Sequence, residues 1–300
     1  MRSTWPRLAG APISWGVSEV PAWGHRMAAG RVLTEMREAG LQATELGPPG
    51  FLPADPAGLR AALARHGLAL AAGFAAAVLH RPERRQAALA GLAATARTLA
   101  GAGADVLVVA AASAGRGYDE RERLDDAGWE ALAASLAEAE AIAGRHRLAL
   151  ALHPHVGTVV ERHDEIRRLL EQTDVDLCLD TGHLAVAGAD PLRVVVEAGS
   201  RVVHVHLKDV DAALAGRVRA GDVAFAEAVR RGLFRPLGAG DVDAAAVLAR
   251  LRAAGYRGWF TLEQDAALPA EPELGAGPVA DVRRSIAFFE SLVGSTAPRR

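Results

Sequence analysis

Residues 176–207 read DLCLDTGHLAVAGADPLRVVVEAGSRVVHVHL. The stretch opens on a short apolar run, Asp176–Leu179. A helix over 191–199 follows, announced by Asp190 as N-cap and Pro191 at the first helical position. It closes on a second apolar run, Val202–Leu207. Strand, helix and strand in about thirty residues make one βαβ unit, which implies parallel pairing and a crossover helix.

Outward from this unit the same alternation recurs. Further strands are expected at Leu8–Trp15, Gln42–Leu46, Leu68–Phe74, Asp105–Ala110, Leu148–Leu152 and Trp259–Glu263. Helices are expected near 29–39, 56–66, 82–101, 123–145, 162–172, 242–254 and 279–293. Gly40, Gly67 and Gly255 stand where a helix stops and a strand soon starts. Eight strands, each with a following helix, over 300 residues is the arithmetic of a single (β/α)8 TIM barrel, an α/β fold whose active site lies at the C-terminal ends of its strands. The alternative, a doubly wound open sheet, lacks a glycine-rich nucleotide loop after its first strand. One domain over 1–300 is expected, with a long insertion at about 209–237 that carries a short helix.

Composition narrows the function. Thirty-four Lys plus Arg against thirty-six Asp plus Glu leave a net charge of −2, which removes the phosphate-neutralising term that drives nucleic-acid binding. One cysteine, Cys178, excludes a disulfide framework and a thiolate zinc ribbon. The start of the chain carries no apolar secretory core, and no run is long enough to span a bilayer. A soluble, cytoplasmic protein is expected.

In a barrel, side chains at the strand ends converge. Those ends carry Glu45, His153, His155, Asp180, His183, His204, His206 and Glu263. Taken singly, each has an ordinary structural explanation: a buried histidine in a hydrogen bond, or an aspartate capping a turn. Period-two alternation sets His204 and His206 on one face of their strand, His206 nearer the mouth. It also sets Cys178 on the face of Asp180, one layer deeper, as strand filler. A carboxylate at the end of a buried strand, as at Glu263, is costly unless paired or metal-bound. Jointly, His153, Asp180, His206 and Glu263 form a nitrogen and oxygen ligand set from four successive strands. That set suits one divalent metal ion, Mn²⁺ or Co²⁺ first, with Mg²⁺, Fe²⁺ and Zn²⁺ also compatible.

These residues carry a resemblance. ProIleSerTrp (12–15), ThrGluLeuGly (44–47), HisProHisValGlyThr (153–158), LeuAspThrGlyHis (179–183), AlaGlyAlaAspPro (187–191), HisValHisLeuLysAsp (204–209), ProLeuGlyAlaGlyAspValAsp (236–243) and TrpPheThrLeuGluGlnAsp (259–265) resemble the xylose-isomerase-like TIM-barrel superfamily of sugar phosphate isomerases and epimerases. Within it the chain is similar to the inosose-dehydratase branch. The resemblance implies a divalent metal at positions matching Asp180, His206 and Glu263. Where the sugar epimerases carry a fifth-strand Glu, this chain has His153. That departure works against epimerisation by two opposed glutamates.

The reaction expected is proton abstraction beside a ketone of a sugar-like polyol, then loss of water. Glu263 or Glu45 is expected as the base, and His183 or His155 as the acid for the departing hydroxyl. Lys208, the only lysine, is a candidate for a substrate oxygen or for a salt bridge with Asp209. Trp15 is a candidate wall for the substrate ring, and His204 a further substrate contact. The Gly238–Gly240 turn has the spacing of a loop approaching substrate. No phosphate-gripping loop is evident, so the partner expected is a non-phosphorylated polyol or sugar. Neither nucleic acid nor a membrane is expected as a partner, and a homo-oligomer is compatible. The alternatives are a ketose isomerase or epimerase with the same enediolate, and a non-catalytic sugar- or metal-binding barrel subunit.

Overall fold

A computed structural model describes residues 6–115 and 117–295. Its main sheet holds β1 (Arg7–Gly10), β2 (Ala43–Thr44), β3 (Ala69–Leu70), β4 (Ala72–Ala77), β5 (Val106–Ala111), β6 (Ala149–Leu152), β7 (Asp176–Asp180), β8 (Val202–Leu207) and β11 (Trp259–Leu262). The order is β3-β2-β1-β11-β8-β7-β6-β5-β4, and all pairs are parallel. Ala71 alone separates β3 from β4, so the two act as one broken strand. The amides of Ala71 and Leu46 bond Thr44 O and Ala72 O across the break. The result is a nearly closed eight-stranded (β/α)8 barrel.

Helices α1 (Ala29–Ala39), α2 (Pro56–His66), α3 (Pro82–Ala102), α4 (Asp126–Arg145), α5 (His163–Gln172), α7 (Pro191–Ala198), α10 (Ala244–Ala253) and α11 (Pro278–Ser295) surround it. Their starts follow local chemistry. Asp55 and Asp190 accept backbone N–H bonds ahead of Pro56 and Pro191, and Asp125 caps α4 by accepting from Gly128 N. Outward-facing Leu107, Val109, Leu150, Leu152, Leu177, Leu179, Val205 and Leu207 pack against these helices in the main core. Inside the barrel, Ala72, Val108, Ala151 and Cys178 fill one layer, and Ala9, Ala43 and Trp259 another.

Three expectations need correction. The first strand stops at Gly10, and Pro12–Trp15 is a 3₁₀ turn. Pro12 has no N–H for a ladder, and Gly16 at φ 74° ends the turn. A short helix, α6 (Thr181–Ala187), directly follows β7. The insertion holds two helices rather than one, α8 (Ala212–Ala220) and α9 (Phe225–Arg230), flanked by the ribbon β9 (Asp209–Val210) and β10 (Phe234–Arg235). Among the described residues no helix is long and apolar enough to cross a membrane.

Candidate metal centre

Register places the ligand set. Asp180 pairs with His206, and His206 with Thr261. A register shift between Leu177 and Cys178 makes this possible: Leu177 stands beside Val202, yet Cys178 stands beside His204. The extra residue brings the inward row of β7 level with the inward row of β8. His153 follows β6, held by its own amide on Val109 O. Glu263 follows β11 in the same way, its amide on Leu207 O.

The four expected ligands lie along one chain of contacts. His153 Nε2 lies 3.4 Å from Asp180 Oδ2, which lies 3.3 Å from His206 Nδ1, itself 3.3 Å from Glu263 Oε2. Asp180, His206 and Glu263 each offer a donor atom within 4.8 Å of the other two, and His153 joins Asp180 in a second such group with His183, so Asp180 is common to two groups able to hold an ion. Asp180 Oδ2 and His206 Nδ1 are buried and make no hydrogen bond. Buried polar atoms are rarely left so. Asp180 Oδ1, by contrast, accepts from Gly182 N and His183 N and caps α6. Two imidazoles and two carboxylates are a donor set for a borderline divalent cation.

Charge around the set is concentrated. Lys208 continues the inward row of His204 and His206. Its Nζ lies 2.6 Å from Glu263 Oε1, 2.8 Å from Asp265 Oδ1 and 3.0 Å from His183 Nε2. Burial works to discharge this ammonium, but Asp180, Asp265 and Glu263 hold its pKa well above the usual lysine value. Burial raises the Asp265 carboxyl to about 6 against the pull of Lys208. Burial, with His153 beside it, pushes His155 well below the ordinary imidazole range; burial and His155 do the same to His183.

Above the set opens a cavity of about 760 Å³, lined by His155, Glu263 and Asp265 and walled by Trp23, Phe74 and Tyr118. The Tyr118 ring stacks on His155 at 5.7 Å, and His155 lies on His183 with ring centroids 3.6 Å apart. His155 Nδ1 is 2.8 Å from Val156 O, a bond that commits its proton and leaves Nε2 as the acceptor.

Several expected site residues lie elsewhere. Trp15 is fully buried in the main core and donates to Glu35, so it does not wall the cavity. His204 sits one layer below the mouth, its Nε2 on Glu45 Oε1. His183 is covered by His155 and receives the Lys208 ammonium, which withdraws it from the role of acid. Lys208 pairs with Glu263 and Asp265, not Asp209. The Gly238–Gly240 turn closes on Asp209 rather than on the cavity. Glu45 is occupied beneath His206, as detailed below. Asp265, Phe74, Tyr118 and Trp23 were missed. Alternation from Glu263 would have found Asp265; Trp23 and Tyr118 sit on loops, where no periodic signal exists.

Fold and site together define a (β/α)8 barrel with a nitrogen and oxygen ligand set at its mouth. A family model described as xylose isomerase-like TIM barrel matches residues 33–292, and the chain belongs to that family. It is 35% identical to the rhizopine catabolism protein MocC of Rhizobium meliloti, over 86% of this chain and 81% of that one. It is also 35% identical to the inosose dehydratase of Geobacillus kaustophilus (strain HTA426), over 86% and 87%. Among solved structures, an L-ribulose 3-epimerase superposes with a TM-score of 0.72 at 19% identity, covering 98% of this chain and 99% of that one. The IOLI protein with a bound zinc atom superposes at 0.70 and 14% identity, covering 98% and 100%.

Proposed function

We propose that this chain is a divalent-metal-dependent hydro-lyase that removes water from a keto-polyol such as an inosose. One observation carries the reading: Asp180, His206 and Glu263 bring donor atoms within 4.8 Å of one another, with His153 beside Asp180, at the base of a cavity in a chain 35% identical to an inosose dehydratase. The cation, Mn²⁺ or Co²⁺ by preference, supplies Lewis-acid polarisation of the substrate carbonyl and favours the enediolate.

The chain's own groups do the rest. Trp23, Phe74 and Tyr118 offer aromatic faces to the C–H face of a polyol ring. His155, which lines the cavity and has its Nδ1 proton tied to Val156 O, takes the proton α to the ketone at Nε2. The C–H pair becomes the enediolate double bond. Expulsion of the β-hydroxyl then moves those electrons into a new C=C, and the proton held on His155 leaves with the hydroxyl as water. Glu263 serves as ligand rather than base, since Lys208 and His206 engage both its oxygens. Lys208, the cation beside the ligand residues, is spent on Glu263 and Asp265, which favours a neutral, non-phosphorylated substrate; a cytoplasmic setting belongs to the same proposal. The epimerase alternative uses the same enediolate with reprotonation at carbon, and His153 in place of a second carboxylate counts against it.

The test is metal analysis, then incubation with inososes and ketoses in D₂O. Deuterium uptake with a growing enone or diketone absorbance is expected. Asp180→Asn and His206→Ala should lose metal and at least about 100-fold in rate. Interconversion without the chromophore would move the chain to the epimerases, and full metal and rate in both variants would overturn the site.

A further inference from the structure

Glu45 enters the mouth after β2 with its side chain 5% exposed, and three donors occupy one of its oxygens. Oε1 accepts from His204 Nε2 at 2.8 Å, His206 Nε2 at 2.9 Å and Thr261 Oγ1 at 3.0 Å. A neutral imidazole has one N–H to give. Once His206 commits it at Nε2, Nδ1 carries the lone pair, and that is the atom facing Asp180 and Glu263. His153 uses the opposite arrangement. Its Nδ1 is 2.8 Å from Pro154 O, and Nε2 points to the ligand cluster. Each of the two imidazoles therefore ties one nitrogen to an oxygen acceptor and turns the other toward Asp180 Oδ2.

We propose that Glu45 is a positioning residue for the metal centre: it holds His206 as the Nε2–H tautomer, oriented so that Nδ1 meets the cation. The inference rests on the metal reading of the mouth and adds to it the element that prepares the ligand. The acceptor is a carboxylate because one oxygen must take two imidazole N–H groups and a hydroxyl at once. A charged acceptor also makes the ligating nitrogen more basic. Thr261 and His204 hold the carboxylate in turn, which engages it below the His206 ring. This replaces the role of base expected for Glu45.

The test uses Zn²⁺ titration of the full chain and ¹⁵N-histidine NMR, neither of which needs turnover. Wild type is expected to bind Zn²⁺ and to give a His206 Nε2–H resonance in both metal-free and zinc-loaded protein. Glu45→Ala should bind Zn²⁺ about 10–100-fold more weakly and lose that resonance. Glu45→Gln, which keeps an uncharged oxygen acceptor, should fall between. If Glu45→Ala does not fold by circular dichroism, Glu45→Gln carries the test alone, with affinity lowered about threefold or more. Wild-type affinity and an unchanged resonance in the folded variants overturn the proposal. A wild type that binds no Zn²⁺ overturns the metal reading instead, while a missing Nε2–H resonance in the metal-free wild type overturns the lock.

Discussion

Asp209 is the residue whose single carboxylate organises most backbone around it. It is 1% exposed, and its Oδ1 accepts from Val210 N at 3.0 Å and Val242 N at 2.9 Å. Oδ2 accepts from Gly238 N at 2.8 Å and Gly240 N at 3.0 Å. The loop wraps so closely that a Cβ on Gly240 would stand 2.4 Å from Oδ1, and Gly238 sits at φ +85°. Asp209→Ala leaves four amides without their acceptor and should cost about 3 kcal/mol, read as a lowered urea midpoint with unchanged slope. Asp209→Asn, with one acceptor oxygen left, should cost less. The sequence places Lys208 and Asp209 side by side and suggests a salt bridge. Alternation forbids it, since neighbours on a strand point to opposite faces: Lys208 turns into the mouth and Asp209 out to the loop. The same rule, carried one step past each strand, also finds Asp265 from Glu263. The inward rows of β7 and β8 were legible as far as the periodic pattern was followed, and no further.

The loop between β5 and α4 shows what periodicity does not reach. It carries Tyr118 onto His155, and Asp119 accepts from Phe225 N on the insertion. A Cβ on Gly157 would stand 2.6 Å from the Tyr118 backbone. None of these partners is local, so the sequence located the strands and most helices but not the course of this loop. β1 ended early for a similar reason: Pro12 stopped an apolar run that hydropathy alone extends to Trp15. A clasp at the base of the loop joins Glu122 to Ala114 N, Arg81 and buried His80. The Ala114 amide, Arg81 and His80 hold the Glu122 carboxyl below its free value of 4.5. Burial holds His80 below 6.5, with Glu122 and Glu83 pulling up and Arg81 pushing down. In both cases the unfolded group binds protons at higher pH than the folded one. Both contributions are therefore complete at neutral pH and decline on acidification. His80 loses its share as pH falls below 6.5, and Glu122 as pH falls below 4.5. The protection factors of residues 112–115 and 117–124 should fall between pH 7 and 4, ahead of those of the barrel strands. His80→Leu should flatten the upper part of that response; equal protection at both pH values would refute the clasp.

At the scale of the whole molecule, the mouth is where the barrel stores its electrostatic imbalance. Glu45, Asp180, Glu263 and Asp265 converge there around Lys208 and the His206 imidazole, and all six side chains are at least nearly nine-tenths buried. β2, β7, β8 and β11 deliver them, so the mutual repulsion of the acids acts across strands that must close the ring together. A divalent cation bound only by the folded barrel removes most of that excess and adds its binding free energy to folding. At a free concentration 100 times its dissociation constant the gain is about 2.7 kcal/mol. For a chain of this size that shifts the melting temperature by about 5 °C. Mn²⁺ and Co²⁺ should therefore raise the melting point of protein stripped with EDTA, in proportion to the logarithm of their concentration, and renewed chelation should reverse it. Asp180→Asn removes one charge and one ligand together. It should lessen the repulsion, so its stripped form melts no lower than expected from the lost cap on α6, while its response to metal disappears. A variant that still gains the full shift, or a wild type that gains none, would separate the buried charge cluster from cation binding and leave the acids as a purely structural network around Lys208.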